Sequence, residues 1–158
     1  MTTASLQEIK KELRNLEDGK LQELCMRLAK YKKENKELLN YLLFEAHHEQ
    51  TYVENVKEQI QELFKTVPSS NVYFIKKSLR KILRFANRQI KYSGVKKTEL
   101  EVRIFFCTKM KDAKIPRSSG TVLSNLYLQQ LKKIESAFGK LPEDMQADYD
   151  REMKKILS

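Results

Sequence analysis

Breakers are scarce in this chain, and that scarcity governs the folds open to it. With four Gly and three Pro among 158 residues, it lacks the punctuation that the many tight turns of an all-β protein require. Long helices joined by short polar connections fit better. Apolar residues recur at three- and four-residue spacing along most of the length, which is the helical period. Apolar content of 41% beside 33% charged residues is ordinary for a folded domain. A chain of this length buries on the order of 70% of its unfolded surface in a core. The expectation is a single all-α domain over residues 1–158.

In chain order, Ser5 and Glu8 spell a capping box, and Leu6, Ile9, Leu13 and Leu16 follow on one face until Asp18-Gly19 reads as a stop. A second helix is predicted from Lys20 to Lys32 with Leu21, Leu24, Cys25 and Leu28 inward, closing an antiparallel hairpin. Asn35 is the expected N-cap of a third helix, whose Leu38, Leu39, Leu42, Leu43 and Ala46 make a wide apolar face and place it centrally. Thr51 and Glu54 spell a capping box for a fourth helix ending near Pro68; the third and fourth can equally be read as one helix bent near Gln50.

The run Leu100–Cys107 is apolar nearly all round, which fits a buried helix, but Leu100, Val102, Ile104 and Phe106 also alternate as in a strand. Helix is favoured because Thr98 and Glu101 precede it as a capping box, and a strand would have only Val72 to Ile75 to pair with. Residues 111–120 form the longest breaker-rich connection. A helix with Leu123, Tyr127, Leu131, Ile134 and Phe138 on one face then runs to Gly139, and a last one starts at Pro142 with Met145, Tyr149, Met153 and Ile156 inward. Seven or eight helices in sequential antiparallel hairpins suggest an irregular bundle or a short HEAT-like helical stack; no self-similar period marks the latter.

Charge is distributed unevenly. Between Val72 and Lys97 stand Lys76, Lys77, Arg80, Lys81, Arg84, Arg88, Lys91, Lys96 and Lys97 with no Asp or Glu, against a formal net charge of +10 for the whole chain. On a helix, Ile75, Leu79, Ile82, Ala86 and Ile90 fall on one side while the cations fall on the other. Lys77, Arg80, Lys81, Arg84, Arg88, Lys91, Lys96 and Lys97 are therefore candidate anion-binding residues, with Phe74, Phe85 and Tyr92 beside the stripe as aromatic neighbours of the kind that nucleic-acid strands use. The plainer reading of such a face is a solvated, solubilising one.

Other constellations are weaker. Arg117, Ser118, Ser119 and Thr121 precede a helix and offer a phosphate turn, yet they lack any complete phosphate-loop pattern. Glu45 and His48 have the spacing of carboxylate-bundle ligands, but His47 and His48 are the only histidines, so no second Glu-x-x-His exists and no metal is expected. Cys25 and Cys107 sit in apolar runs and read as buried thiols of a reducing compartment. No acid–base pair stands out by spacing, so neither catalysis nor a cofactor is expected. Met1 to Ser5 lack an apolar leader, Thr2 replaces the glycine needed for myristoylation, and no run reaches the length of a bilayer span; a cytoplasmic protein is expected.

The function these readings point to is non-enzymatic: a helical binding module whose basic face meets an anionic macromolecule, either an acidic protein surface or nucleic acid. The rival readings are a structural or oligomerisation protein whose first four helices extend their apolar faces into a second copy, and an enzyme acting on a phosphorylated ligand at the Arg117–Thr121 turn.

Overall fold

A computed structural model describes residues 1–115 and 121–158, and among these residues every regular element is helical, with no strand. They form two compact units, Met1–Phe44 and Glu45–Ser158.

In the first unit α1 spans Leu6–Arg14, α2 Asp18–Tyr31 and α3 Lys33–Asn40. The capping box forms as expected: Ser5 Oγ accepts from the Glu8 N–H at 3.2 Å, and Glu8 Oε2 accepts from the Ser5 N–H at 2.7 Å. Gly19 is not the stop. It lies in the first turn of α2, with Asp18 beside it to complement the helix dipole, and α1 has already ended at Asn15. Asn35 does not cap α3 either. It sits inside that helix, whose cap is the extended Lys32, and its Nδ2 donates to the Leu28 carbonyl oxygen at 2.8 Å, pinning the end of α2.

No residue of α1, α2 or α3 is buried. The expected central place of the third helix is thus not realised, and Cys25 is an exposed thiol rather than a buried one. A hairpin of this size has too few layers to cover both faces of its helices, so their periodicity does not translate into a core.

The chain leaves α geometry between Tyr41 and His48, first in a π turn (Tyr41–Glu45) and then in a 3₁₀ turn (Ala46–His48). The second unit then opens with α4, Glu49–Phe64. Its start lies two residues before the Thr51 box. Glu49 fixes it there: its Oε1 accepts from the Ser93 hydroxyl and from the Thr98 hydroxyl, the latter at 2.6 Å.

Helix α5 is Val72–Ser93, α6 Lys96–Asp112, α7 Val122–Gly139, α8 Glu143–Ala147 and α9 Asp150–Leu157. The expected last helix is broken at Tyr149 into the final two. Helix α6 is the axis of this unit and packs on α4, α5, α7 and α9. Such contacts between elements distant in sequence describe a bundle rather than a linear stack, in which each repeat meets only its neighbours.

Leu100, Val102, Phe106, Cys107 and Met110 of α6 are wholly enclosed, each large one contributing roughly 1.5–3 kcal/mol by burial. The helical reading of Leu100–Cys107 holds, although not through its proposed cap. Val95 precedes the first turn, the Thr98 hydroxyl is committed to Glu49, and Glu101 instead accepts from the Tyr149 hydroxyl at 2.9 Å. Surroundings of helix on four sides, and not the cap, decide the matter.

Candidate anion-binding face

Helix α5 forms where its sequence directs. Asn71 Oδ1 accepts from the N–H groups of Tyr73 and Phe74, and the helix closes at Gly94, whose left-handed φ of 69° and N–H bond to the Ile90 carbonyl turn the chain into α6. Ile75, Leu79, Ile82, Ala86 and Ile90 are all buried. The opposite side is in water: Lys77, Arg80, Lys81, Arg84, Arg88, Lys91 and Lys96 are exposed and Lys97 half-buried.

No distant carboxylate among the described residues forms an ion pair with this face. Among the described residues, Lys96 alone of those eight is ion-paired, to Glu99 Oε1 at 3.3 Å. The others stand at helical spacing from one another, and like-charged neighbours such as Lys77 and Lys81, Arg80 and Arg84, or Arg84 and Arg88 each cost roughly 0.2–0.5 kcal/mol. The helix carries that repulsion with no intrahelical acid to relieve it.

The aromatic neighbours divide. Phe74 is exposed and meets Tyr73 edge-on at 5.2 Å between ring centroids, with Lys76 Nζ 5.7 Å from the centre of the Tyr73 ring. Phe85 is half-buried and turned toward α4, in a depression shared with Glu58, Glu62 and Leu63. Tyr92 is half-buried as well. The exposed aromatic surface is thus gathered at the start of α5 rather than along the stripe.

At the other end of α5 the fold makes a cleft of about 510 Å³. Asn87, Arg88, Ile90 and Lys91 line it from α5, Gly94 and Val95 from the corner, Lys96, Glu99 and Arg103 from α6, and Lys133 from α7. Arg103 is its built-in floor, only 6% exposed. Nε and Nη2 donate to Glu99 Oε2 at 3.1 and 3.0 Å, while Nη1 donates to Asn87 Oδ1 at 2.9 Å and Gln130 Oε1 at 3.0 Å, tying α5, α6 and α7 together.

Partial burial works to raise the Glu99 carboxyl, but the hydrogen bonds and charges of Arg103, then Lys96, outweigh it and hold the group below its ordinary value. Glu99 is therefore a carboxylate already satisfied from two sides. No local pattern marks Arg103, a lone cation inside the apolar run Leu100–Cys107, or Lys133, which lies on another helix.

Of the phosphate turn, Arg117, Ser118 and Ser119 lie outside the described residues. Thr121 is the N-cap of α7, its Oγ1 accepting from the Ser124 N–H at 3.0 Å. His47 and His48 are exposed, and among the described residues no three His, Cys, Asp or Glu side chains are grouped to hold a metal ion. No helix of these residues is long and apolar enough to cross a membrane. The chain matches no known family model, no curated protein and no solved structure.

Proposed function

We propose that the second unit is a non-enzymatic binding module that engages an anionic macromolecule through the exposed face of α5. The observation that carries this reading is a row of cations with no ion-pair partner among the described residues, held on a rod whose apolar side is sunk in the core. Ile75, Leu79 and Ile82 are buried, so the apolar side of α5 is not free to lie in a membrane interface as that of an amphipathic surface helix does, and its exposed apolar residues Val72, Tyr73 and Phe74 are confined to the first turn.

The test is binding of an oligothymidylate and of polyglutamate to the full chain and to its Arg80→Glu/Arg84→Glu/Arg88→Glu variant at several salt concentrations. Affinity that falls steeply with salt and vanishes in a variant retaining its helical circular dichroism supports the reading. Equal binding by wild type and variant, or no binding of either polyanion, rejects it.

A second reading attaches to the first unit. Leu6, Leu24, Leu28, Leu42, Leu43 and Phe44 are exposed, and no residue of α1, α2 or α3 is buried. A unit of this size commonly needs oligomerisation to complete a core. A second copy of the chain, docked hairpin to hairpin, would supply it. Solution mass by analytical ultracentrifugation decides: a monomer at micromolar concentration removes this reading.

A further inference from the structure

We propose that the cleft where α5, α6 and α7 meet is a phosphate-binding subsite for the backbone of a single nucleic-acid strand, which continues along α5 toward the Tyr73–Phe74 ring pair. The assignment rests on the binding-module reading above and specifies its partner.

Besides Arg103, four cations among the described residues line the cleft from three helices: Arg88 and Lys91, Lys96, and Lys133. Its one carboxylate, Glu99, is taken up by Arg103 and Lys96 and does not oppose an entering anion in full. To these side chains the start of α6 adds its first-turn backbone N–H groups, which the N-cap Val95 leaves without a side-chain acceptor among the described residues. Lysine at positions 96 and 97 is the wrong charge for that end of a helix, where the dipole favours acids. Of the two, Lys96 lines the cleft, and Glu99 in the same turn, the acid that the dipole favours, is already paired, which leaves the helix start to an entering phosphate. Gly94 leaves this approach open, since a Cβ built on it meets nothing within 4 Å.

Size separates nucleic acid from acidic protein. At about 510 Å³ the cleft is in the range of small-ligand sites, roughly 300–1,000 Å³. A phosphate with its sugar fills a space of that volume, whereas an acidic protein helix of about 10–12 Å diameter stays outside it and sends in only single carboxylate side chains, leaving most of the cleft empty. Ile90 and Val95 give the sugar an apolar wall.

From Lys91 back to Phe74 is seventeen residues of helix, about 25 Å at 1.5 Å per residue. Arg80, Arg84 and Arg88 lie along that path one turn apart, and two exposed rings stand at its far end. A cationic track ending in a stacking platform is the arrangement that single strands use.

The experiment is an amide-resolved NMR titration of the full chain with an oligothymidylate, a thymidine mononucleotide and polyglutamate, with affinities measured for wild type, Lys133→Gln and Arg80→Gln. Both substitutions are at exposed positions, and unchanged helical circular dichroism checks that each variant folds. The expected result is that the oligothymidylate shifts the Gly94, Val95 and Lys96 amides, and that Lys133→Gln lowers its affinity and reduces the salt slope by roughly 0.7, the value of one phosphate contact on a single strand. The mononucleotide should bind far more weakly than the strand.

Oligothymidylate binding that is weakened by Arg80→Gln but not by Lys133→Gln, with the corner amides unmoved, overturns the cleft assignment and leaves the α5 face standing. Binding of polyglutamate alone also overturns it while sparing the broader reading. A mononucleotide bound as tightly as the strand overturns the strand in favour of a free nucleotide. Failure of every polyanion removes both proposals together.

Discussion

Replacing Arg103 with methionine keeps the aliphatic stem of the side chain and removes its charge and five donors, so it isolates what the guanidinium does. Glu99, with its side chain 18% exposed, would be left with Lys96 alone. Gln130, 3% exposed, would lose the donor to its carbonyl oxygen. Removing one partner of a buried ion pair costs about 3–5 kcal/mol, and an orphaned buried acceptor costs about 1–3 kcal/mol. Because Glu99 keeps some access to water and to Lys96, the lower part of that combined range, about 4–6 kcal/mol, is the expected loss.

For a bundle of this size the loss corresponds to a fall in Tm of roughly 10–20 °C, read by circular dichroism and checked by urea unfolding. Glu99→Leu combined with Arg103→Met should recover part of it, since the stranded carboxylate goes too. The pH profile supplies an independent check. The Glu99 carboxyl is held below its unfolded value near 4.5, so its stabilising contribution is complete above about pH 4.5 and is lost as pH falls through the folded value. Without Arg103 that acid-side loss should flatten. A methionine variant within about 1 kcal/mol of wild type, or a double variant less stable than the single, refutes the account of Arg103 as the tie among three helices.

Charge reversal on α5 has an expected effect on stability opposite to its proposed effect on binding: Arg80→Glu/Arg84→Glu/Arg88→Glu turns the contacts of these positions with Lys76, Lys77, Lys81 and Lys91 into Lys–Glu pairs while 80–84 and 84–88 stay like-charged, and the balance should raise stability by on the order of 1 kcal/mol in low salt; a loss of stability would contradict the repulsion inferred for this face. Gly94→Ala forces a Cβ into the left-handed region at φ 69° and should cost about 1–2 kcal/mol, measurable by urea unfolding. Cys25 should react at once with a thiol reagent while the enclosed Cys107 reacts only on unfolding; rapid modification of both thiols would show that α6 is not enclosed. Burial first, and then the Glu101 hydrogen bond and the charges of Glu101, Asp148 and Glu152, push the Tyr149 phenol well above its ordinary value of 10. Its folded pKa being raised, the stability it contributes is present below pH 10 and is lost as pH rises beyond it. Ultraviolet titration should find this tyrosine un-ionised until the alkaline unfolding transition.

The all-α architecture and the two-sided nature of α5 were legible because each follows from residues close together in sequence. Breaker scarcity and period settle the first, and an acid-free run opposite Ile75, Leu79 and Ile82 settles the second. Helix starts were less legible, since Glu49 is fixed by hydroxyls of Ser93 and Thr98, more than forty residues away in the chain. Burial of the hairpin helices was overread for a related reason: period reports which face could pack, not whether anything is there to receive it. The cleft was hidden altogether. It depends on Arg103 turning inward to Asn87 and Gln130, and on Lys133 arriving from α7, and no local pattern announces either.

Because α5 is seated by five enclosed side chains and tied at its end by the Asn87–Arg103 bond, its backbone is already in place before any ligand arrives. An encounter then requires only the settling of long, solvated side chains, with no folding step to slow it. Attachment should accordingly proceed at rates set by electrostatic steering and diffusion, and added salt should act on the speed of capture as well as on its strength.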